Sequence, residues 1–292
     1  MQMGCTRIVG CVVAACAISA LGATSAFATF ENLPEWGKCE AKEGGVYSNN
    51  GCTKVAKPGA GKFEWHPLTS VVKFTSKKEK ETGPAVLESQ GGTKISCTGQ
   101  LEKSGEYGPG PFEVKNVIGE FSGCEAIGFK CESEGEPEGL IHTKKLHGEP
   151  GVVEYVGTEE KNVDGSDLRG EETEFLAEFS CGGAPVKVRG GVVVKAQADS
   201  TGGTSGELTN KMLAKAEIEF IAESSGKQVP EEWTPDGKGI THSEHKKVNE
   251  HLESTISGGT YERGGQSLIT DQESNPKTDK AELRQCANTI QC

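Results

Sequence analysis

Eight cysteines follow the first 28 residues of this chain, and their redox state decides what the rest can fold into: Cys39, Cys52, Cys97, Cys124, Cys131, Cys181, Cys286 and Cys292. The segment ahead of them reads MQMGCTRIVGCVVAACAISALGATSAFA. It has one positive charge at Arg7, an apolar run from Ile8 to Leu21, and small residues ending at Ala28. That layout predicts a secretory signal peptide over 1–28, cleaved after Ala28, with an apolar stretch too short for a comfortable membrane span. A lipid-attachment signal at Val13-Ala14-Ala15-Cys16 is the second reading, weakened by the short run ahead of it, which Gly10 and Cys11 interrupt. Cleavage removes Cys5, Cys11 and Cys16 and leaves an even set. An even set in an exported chain reads as a disulfide framework, because thiols oxidise outside the cytoplasm.

Spacing narrows the pairing. Cys39 and Cys52 flank the Gly/Asn-rich EAKEGGVYSNNG, which can fold back on itself. Cys124 and Cys131 close the loop in GEFSGCEAIGFKC, and Cys286 and Cys292 are left together at the C-terminus. Cys97 and Cys181 each end a strand-like run, so they form the fourth expected pair, with Cys97–Cys124 an open alternative. Zinc would want C-x2-C pairs with regularly spaced partners, and a redox site would want C-x-x-C near a βαβ pattern. Cys124 and Cys131 offer neither, so they read as a staple.

The mature chain needs such staples. Leu, Ile, Val and Phe make up about a fifth of it, near the level at which charged chains lose a packed core. The sequence carries 40 glycines, each losing more backbone entropy on folding than other residues. In the chain-entropy account a disulfide closing a loop of a dozen or so residues contributes about 3 kcal/mol. The net charge is −12. That excess argues against nucleic acid as a partner, since phosphate binding needs a basic face, and against adsorption to anionic lipid. After the signal, no stretch is apolar enough to form a transmembrane helix.

Period-two alternation dominates the body. SVVKFTS (70–76), PAVLES (84–89), TKISC (93–97), FEVKNVIGEF (112–121), GVVEYVG (151–157), EFLAEFSC (174–181), PVKVRG (185–190) and GVVVKA (191–196) are short, rich in β-branched or aromatic residues, and bounded by turn formers. They predict an all-β fold, an antiparallel β-sandwich or barrel with disulfide-stapled loops. Arg189-Gly190-Gly191 predicts a hairpin turn or a bulge. The segment 207–227 fits a helix or a long strand, and the β context favours the strand. ESEGEPEG (132–139) and GTEEKNVDGSDLRGEE (157–172) read as polar loops. The expected organisation is a β-rich domain over 29–257, with room for two subdomains, then a C-terminal strand and polar tail over 258–292.

ENLPEWGKC, GVYSNNGCTKVA, GKFEWHP, ESQGGTKISC, GEYGPGPFEVKNVIGEFSGC, AEFSCGGAPVKVRGGVV, TNKM and SSGKQVPEEW carry a resemblance. Together they resemble a family of exported, cysteine-containing, β-rich proteins of soil actinobacteria, discontinuously from about Glu31 to about Leu283. The resemblance implies export, a β-rich body and paired cysteines. It implies no activity and supplies no catalytic residue, and Cys286 and Cys292 fall outside its pattern.

Candidate chemistry is thin. THSEHKKVNEH (241–251) holds His242, Glu244, His245, Glu250 and His251, but a regular helix would point His251 away from His242, and the order is not H-E-x-x-H. A solvated connector is the better reading, and His142 and His147 sit in a Lys-bearing surface stretch. GGTSGE (202–207) lacks the glycine that a nucleophile elbow requires. Nothing singles out two of the 43 acidic residues as a glycosidase-type pair. No catalytic, metal or cofactor residue is assigned, and no cofactor is expected. Trp36, Trp65 and Trp233 are core residues or a sugar-stacking platform.

The sequence therefore predicts an extracellular, non-catalytic structural or binding protein, in the medium or at the cell surface, with a polysaccharide or surface protein as the conceivable partner. A secreted carboxylate-based hydrolase is the alternative, and a metal-binding module at the His242 cluster is third. Mass spectrometry of the exported protein under non-reducing conditions is expected to show an intact mass that begins at Thr29 and lies eight hydrogens below the fully reduced value. A lipid adduct at Cys16, or eight alkylatable thiols, would contradict this.

Overall fold

A computed structural model describes residues 34–52, 54–154, 163–198, 215–223, 226–235, 248–274 and 281–285. The signal segment, Cys286, Cys292, His242, Glu244 and His245 lie outside the described residues.

The chain begins with β1 (Pro34–Gly45) and β2 (Gly61–Pro67), an antiparallel pair. After it, the strands line up end to end into eight long staves. The first is β3 (Val72–Lys78) continued by β4 (Ala85–Ser89), and the second is β5 (Lys94–Cys97) continued by β6 (Gly99–Tyr107). The third is β7 (Val114–Ser122) with β8 (Glu125–Ala126). The fourth is built from β9 (Phe129–Glu132), β10 (Leu140–His142), β11 (Leu146–Gly148) and β12 (Pro150–Glu154). The fifth joins β13 (Val163–Gly170) to β14 (Phe175–Cys181), and the sixth is the single strand β15 (Ala184–Ala198). The seventh starts with β16 (Lys215–Ala222). It breaks for an excursion carrying β17 (Gln228–Val229), β18 (Glu232–Pro235) and β19 (Val248–Asn249), then resumes with β20 (Leu252–Ile256). The eighth is β21 (Glu262–Ser274), and β22 (Glu282–Gln285) follows it.

Each stave is antiparallel to the next in sequence, and β21 pairs back onto both parts of the first, Thr270 opposite Lys78 and Gly264 opposite Ser89. The wall is therefore a closed, up-and-down, eight-stranded barrel, which leaves no open sheet edge around its circumference. At about 3.3 Å per residue, the 15 residues of β15 give a tall wall.

Alternation decides which side is core. Along β15, Val186, Val188, Val192 and Val194 are buried in the main core. Lys187 faces outward to Glu178 at 3.1 Å and Arg189 to Glu253 at 2.9 Å. Both are directly opposite cross-strand pairs, as is Lys94 with Glu88. The barrel is thus apolar inward and charged outward, the reverse of the polarity of a lipid-facing barrel. Val193 is the exception that alternation explains: it points outward and is fully buried beneath Trp233 of β18, together with Val153. The excursion lies on the outside of the wall there, and β18 extends the sheet at β12.

Three disulfides are present among the described residues: Cys39–Cys52, Cys97–Cys124 and Cys131–Cys181. The first matches expectation. The expected Cys124–Cys131 and Cys97–Cys181 pairings are not formed, and sheet register gives the reason. β8 and β9 make a hairpin with a two-residue turn, Ile127 and Gly128, both at positive φ as a type I′ turn requires. Cys124 and Cys131 then face each other as a hydrogen-bonded pair, with Cys131 N–H donating to Cys124 O at 3.1 Å. Such pairs hold their Cα atoms about 5.5 Å apart, whereas non-hydrogen-bonded pairs bring side chains closer. Each cysteine bonds instead to its outer neighbour across a Cα separation of 4.0 Å. The result is a row, Cys97, Cys124, Cys131, Cys181, that crosses four consecutive staves. These crosslinks place the folded chain in an oxidising environment.

Two further expectations are refined. At Arg189-Gly190-Gly191 the hairpin alternative is not formed, while the register does shift there, Phe175 and Ala177 of β14 facing Arg189 and Val188. The strand runs through it, with Gly190 at φ +87° and its partners changing from β14 and β20 to β13 and β16. A Cβ on Gly190 would meet the His251 carbonyl oxygen at 2.0 Å. Within the stretch expected as a loop over 157–172, residues 163–170 form β13; its charges mislead because Asp167 is fully buried against Arg169, 2.5 Å away, instead of facing water. The strand reading of 207–227 holds over Lys215–Ala222, and Glu207 to Ala214 lie outside the described residues.

Non-reducing peptide mapping is expected to recover Cys97 with Cys124 and Cys131 with Cys181. Removing either crosslink by paired Ala substitution is expected to lower unfolding free energy by about 3–4 kcal/mol in denaturant titration. Recovery of a Cys124–Cys131 peptide would contradict the register.

Candidate functional site

The barrel's interior is the first place to look for function. Eight strands enclose a space just wide enough for side chains to fill or for one small ligand. Here filling is incomplete. A cavity of about 100 Å³ lies among Leu168, Phe179, Phe220, Phe121, Gln100 and Glu102. A second, about 60 Å³, lies toward the β1 end among Trp36, Phe74, Tyr107, Leu283 and again Gln100 and Glu102.

That end is closed by a plug. β1 pairs with β2 on one side and β22 on the other. Trp36 and Leu283 of this small sheet are buried in the barrel core. The Trp36 ring lies 3.8 Å from Tyr107, which stacks on Phe74 at 4.3 Å. Cys97, at the other end, also lines the larger cavity, so the cystine row faces inward.

Against these apolar walls, Glu102 stands out. It lies on β6, where Gln100 and Glu102 point inward and Leu101 outward, with Leu101 43% exposed. One carboxylate oxygen, Oε2, accepts a hydrogen bond from Ser76 Oγ at 2.8 Å. Gln100 Nε2 is 3.5 Å from the same hydroxyl. Glu102 Oε1 and Gln100 Oε1 are buried with no hydrogen-bond partner, and so is Trp36 Nε1 on the plug. Burial pushes the Glu102 carboxyl up to about 8, only partly opposed by the Ser76 hydrogen bond. Burial and the nearby Glu102 push the Tyr107 hydroxyl up as well. Room for the carboxylate comes from Gly105, where a Cβ would sit 2.5 Å from Glu102 Oε1 and 2.3 Å from the Phe74 ring.

A second polar assembly lies outside the wall. A cleft of about 320 Å³ is lined by His147, Arg169, Thr173, Glu174, Arg189 and Glu250. Under it, Asp167 is fully buried, and its Oδ1 accepts the Glu149 N–H at 2.8 Å. Its Oδ2 contacts Arg169 Nε at 2.5 Å, an ionic contact without hydrogen-bond alignment. Burial raises the Asp167 carboxyl to about 7 against the pull of Arg169. Glu149 and Glu250 are raised for the same reason, with Arg169 again opposing, and burial lowers His147. Three carboxylates thus gather round one guanidinium. Of the three, Glu250 is the one that lines the cleft.

The residues flagged from sequence fare differently. Trp36, Trp65 and Trp233 are at most 7% exposed and sit in three separate clusters, so they form no sugar-stacking platform. His251 is held by Glu231 at 3.6 Å and Arg263 at 3.1 Å. Among the described residues no group of three or more His, Cys, Asp or Glu side chains could hold a metal ion. The sequence pattern does not single out Glu102. The signal available was a strand, GQLEKSGEY, whose apolar residue alternates with the wrong side. Comparison of the chain with family models, curated proteins and solved structures finds no match.

Glu102 yields a signed prediction. Its folded value lies above the ordinary 4.5. Its contribution to stability is therefore fully present below that value and is lost as pH rises through about 8. Relative to Glu102→Gln, which mimics the protonated acid, the wild-type protein is expected to lose up to several kcal/mol between about pH 5 and pH 9. Asp167 titrates in both proteins and cancels. Parallel denaturation-versus-pH profiles would contradict the burial of an unpaired carboxyl.

Proposed function

We propose that this is a secreted, non-catalytic binding protein that carries a small apolar molecule inside its barrel. The observation that carries the reading is the incompletely filled lumen, apolar on its walls and holding a buried, half-satisfied carboxyl. A concave apolar space with a few convergent polar groups is the usual form of a small-molecule site. The crosslinks and the resemblance to exported actinobacterial proteins support secretion. The charged outer wall supports a protein whose recognition faces inward.

A carboxylate-based hydrolase at the outer cleft is the second reading, favoured by the raised carboxyls of Glu250, Glu149 and Asp167. It is the weaker one. Acid and base must flank a scissile bond, and Asp167 exposes no surface from which to do so.

Benzene is a suitable first probe: a cavity of about 150 Å³ accommodates it, and the two cavities of about 100 and 60 Å³, which share Gln100, Glu102 and Leu168, together reach that size. Titration followed by methyl NMR is expected to give saturable shifts at Leu168, Val188, Val192 and Leu268, and chromogenic esters and glycosides are expected to go unhydrolysed. Absence of saturable lumen shifts, or turnover abolished by Glu250→Gln, would overturn the proposal.

A further inference from the structure

The lumen also indicates what kind of molecule fits it, an inference that rests on the carrier reading above. We infer that the occupant is a small, compact alcohol or phenol whose single hydroxyl is held between Glu102 and Gln100. Two buried oxygens, Glu102 Oε1 and Gln100 Oε1, bound both cavities and have no hydrogen-bond partner. Each such atom left unpaired costs about 1–3 kcal/mol, so the site is poised for a group that satisfies them.

The chemistry of the pair selects a hydroxyl. Glu102 is held in its neutral form by burial, so Oε1–H can donate. Gln100 Oε1 can only accept. A hydroxyl accepts one hydrogen bond and donates another, and so satisfies both sides at once. A hydrocarbon leaves both unpaired. An ammonium would require Glu102 to ionise in apolar surroundings, which its burial opposes. The other groups around Glu102 add no competing charge: Ser76 of β3, Ser166 of β13, Thr270 and Gln272 of β21, Val117 of β7 and Trp36 of the plug are uncharged, and Tyr107 is kept neutral. Apart from Thr143 and Gln266 the remaining wall is aliphatic and aromatic, and adjoining cavities of about 100 and 60 Å³ restrict the guest to at most one six-membered ring, which takes about 150 Å³.

Matched pairs test this: phenol against benzene and cyclohexanol against cyclohexane, titrated into the wild-type protein at about pH 6 and followed by methyl NMR. Each alcohol is expected to bind at least about tenfold more tightly than its hydrocarbon. Glu102→Leu is expected to abolish that preference, bringing the two affinities of each matched pair within about threefold of one another. Should that variant fail to fold, Gln100→Leu and the pH dependence of the wild type serve instead. The preference is expected to shrink as pH rises through about 8, when Glu102 loses its donor. Equal affinities for phenol and benzene would overturn the hydroxyl inference and leave the carrier reading standing. Binding of neither, as expected of a lumen filled by ordered water, would remove both. Tighter binding of cyclohexylammonium than of cyclohexanol would also overturn the inference.

Discussion

Pairing between β21, near the C-terminus, and the β3–β4 stave, near the start of the described chain, is the contact on which everything else depends. The other seven junctions join neighbours in sequence, and local hairpins could form most of them. This one joins residues about 190 positions apart, Thr270 with Lys78 and Glu273 with Thr75. Without it there is an open, strongly twisted sheet with two exposed edges and no inside. With it, the inward face of every stave becomes core, and a carboxyl on β6 becomes desolvated.

Closing a ring from so lean a chain is entropically expensive, and the crosslinks act where that cost falls. Cys97, Cys124, Cys131 and Cys181 tie the second stave to the third and the fourth to the fifth, while the type I′ turn at Ile127-Gly128 joins the third to the fourth. Half of the wall is thereby constrained by links that do not depend on the long-range closure. The third disulfide, Cys39–Cys52, lies with Tyr47 and Trp65 in the small cluster that stiffens the plug sheet. The plug in turn lets Trp36 cover one end of the lumen. Staples and plug serve the same end: they let a glycine-rich sequence with few large aliphatics hold a closed surface.

Much of this fold is legible in the sequence, but at the wrong length scale. Short alternating runs such as PAVLES and TKISC are strands, as their β-branched residues and flanking turns indicate. What cannot be read is that they join end to end into staves, because end-to-end continuation leaves no local pattern. Cysteine pairing fails for a related reason: proximity in sequence brings Cys124 and Cys131 opposite each other, but hydrogen-bonding parity, invisible without the register, decides which neighbour each bonds. β13 hides among charges because Asp167 and Arg169 neutralise one another. The site is the least legible feature. Glu102 is one of 43 acidic residues, and its strand carries Leu101 outward, so alternation alone would turn β6 inside out.

The lumen's chemistry follows from that inversion: a polar pair stands where an apolar one would pack better, at a cost of about 1–3 kcal/mol for each oxygen left unpaired. All of this presupposes a continuous ring. Successive amides of a wall strand point alternately to its two neighbours, so residue-resolved amide hydrogen exchange along β21 reads closure directly. Slow exchange is predicted for the amides facing β16 and β20 and equally for those facing β3 and β4. Protection confined to alternate amides, with the β3–β4 side exchanging freely, would show an open edge and contradict the barrel.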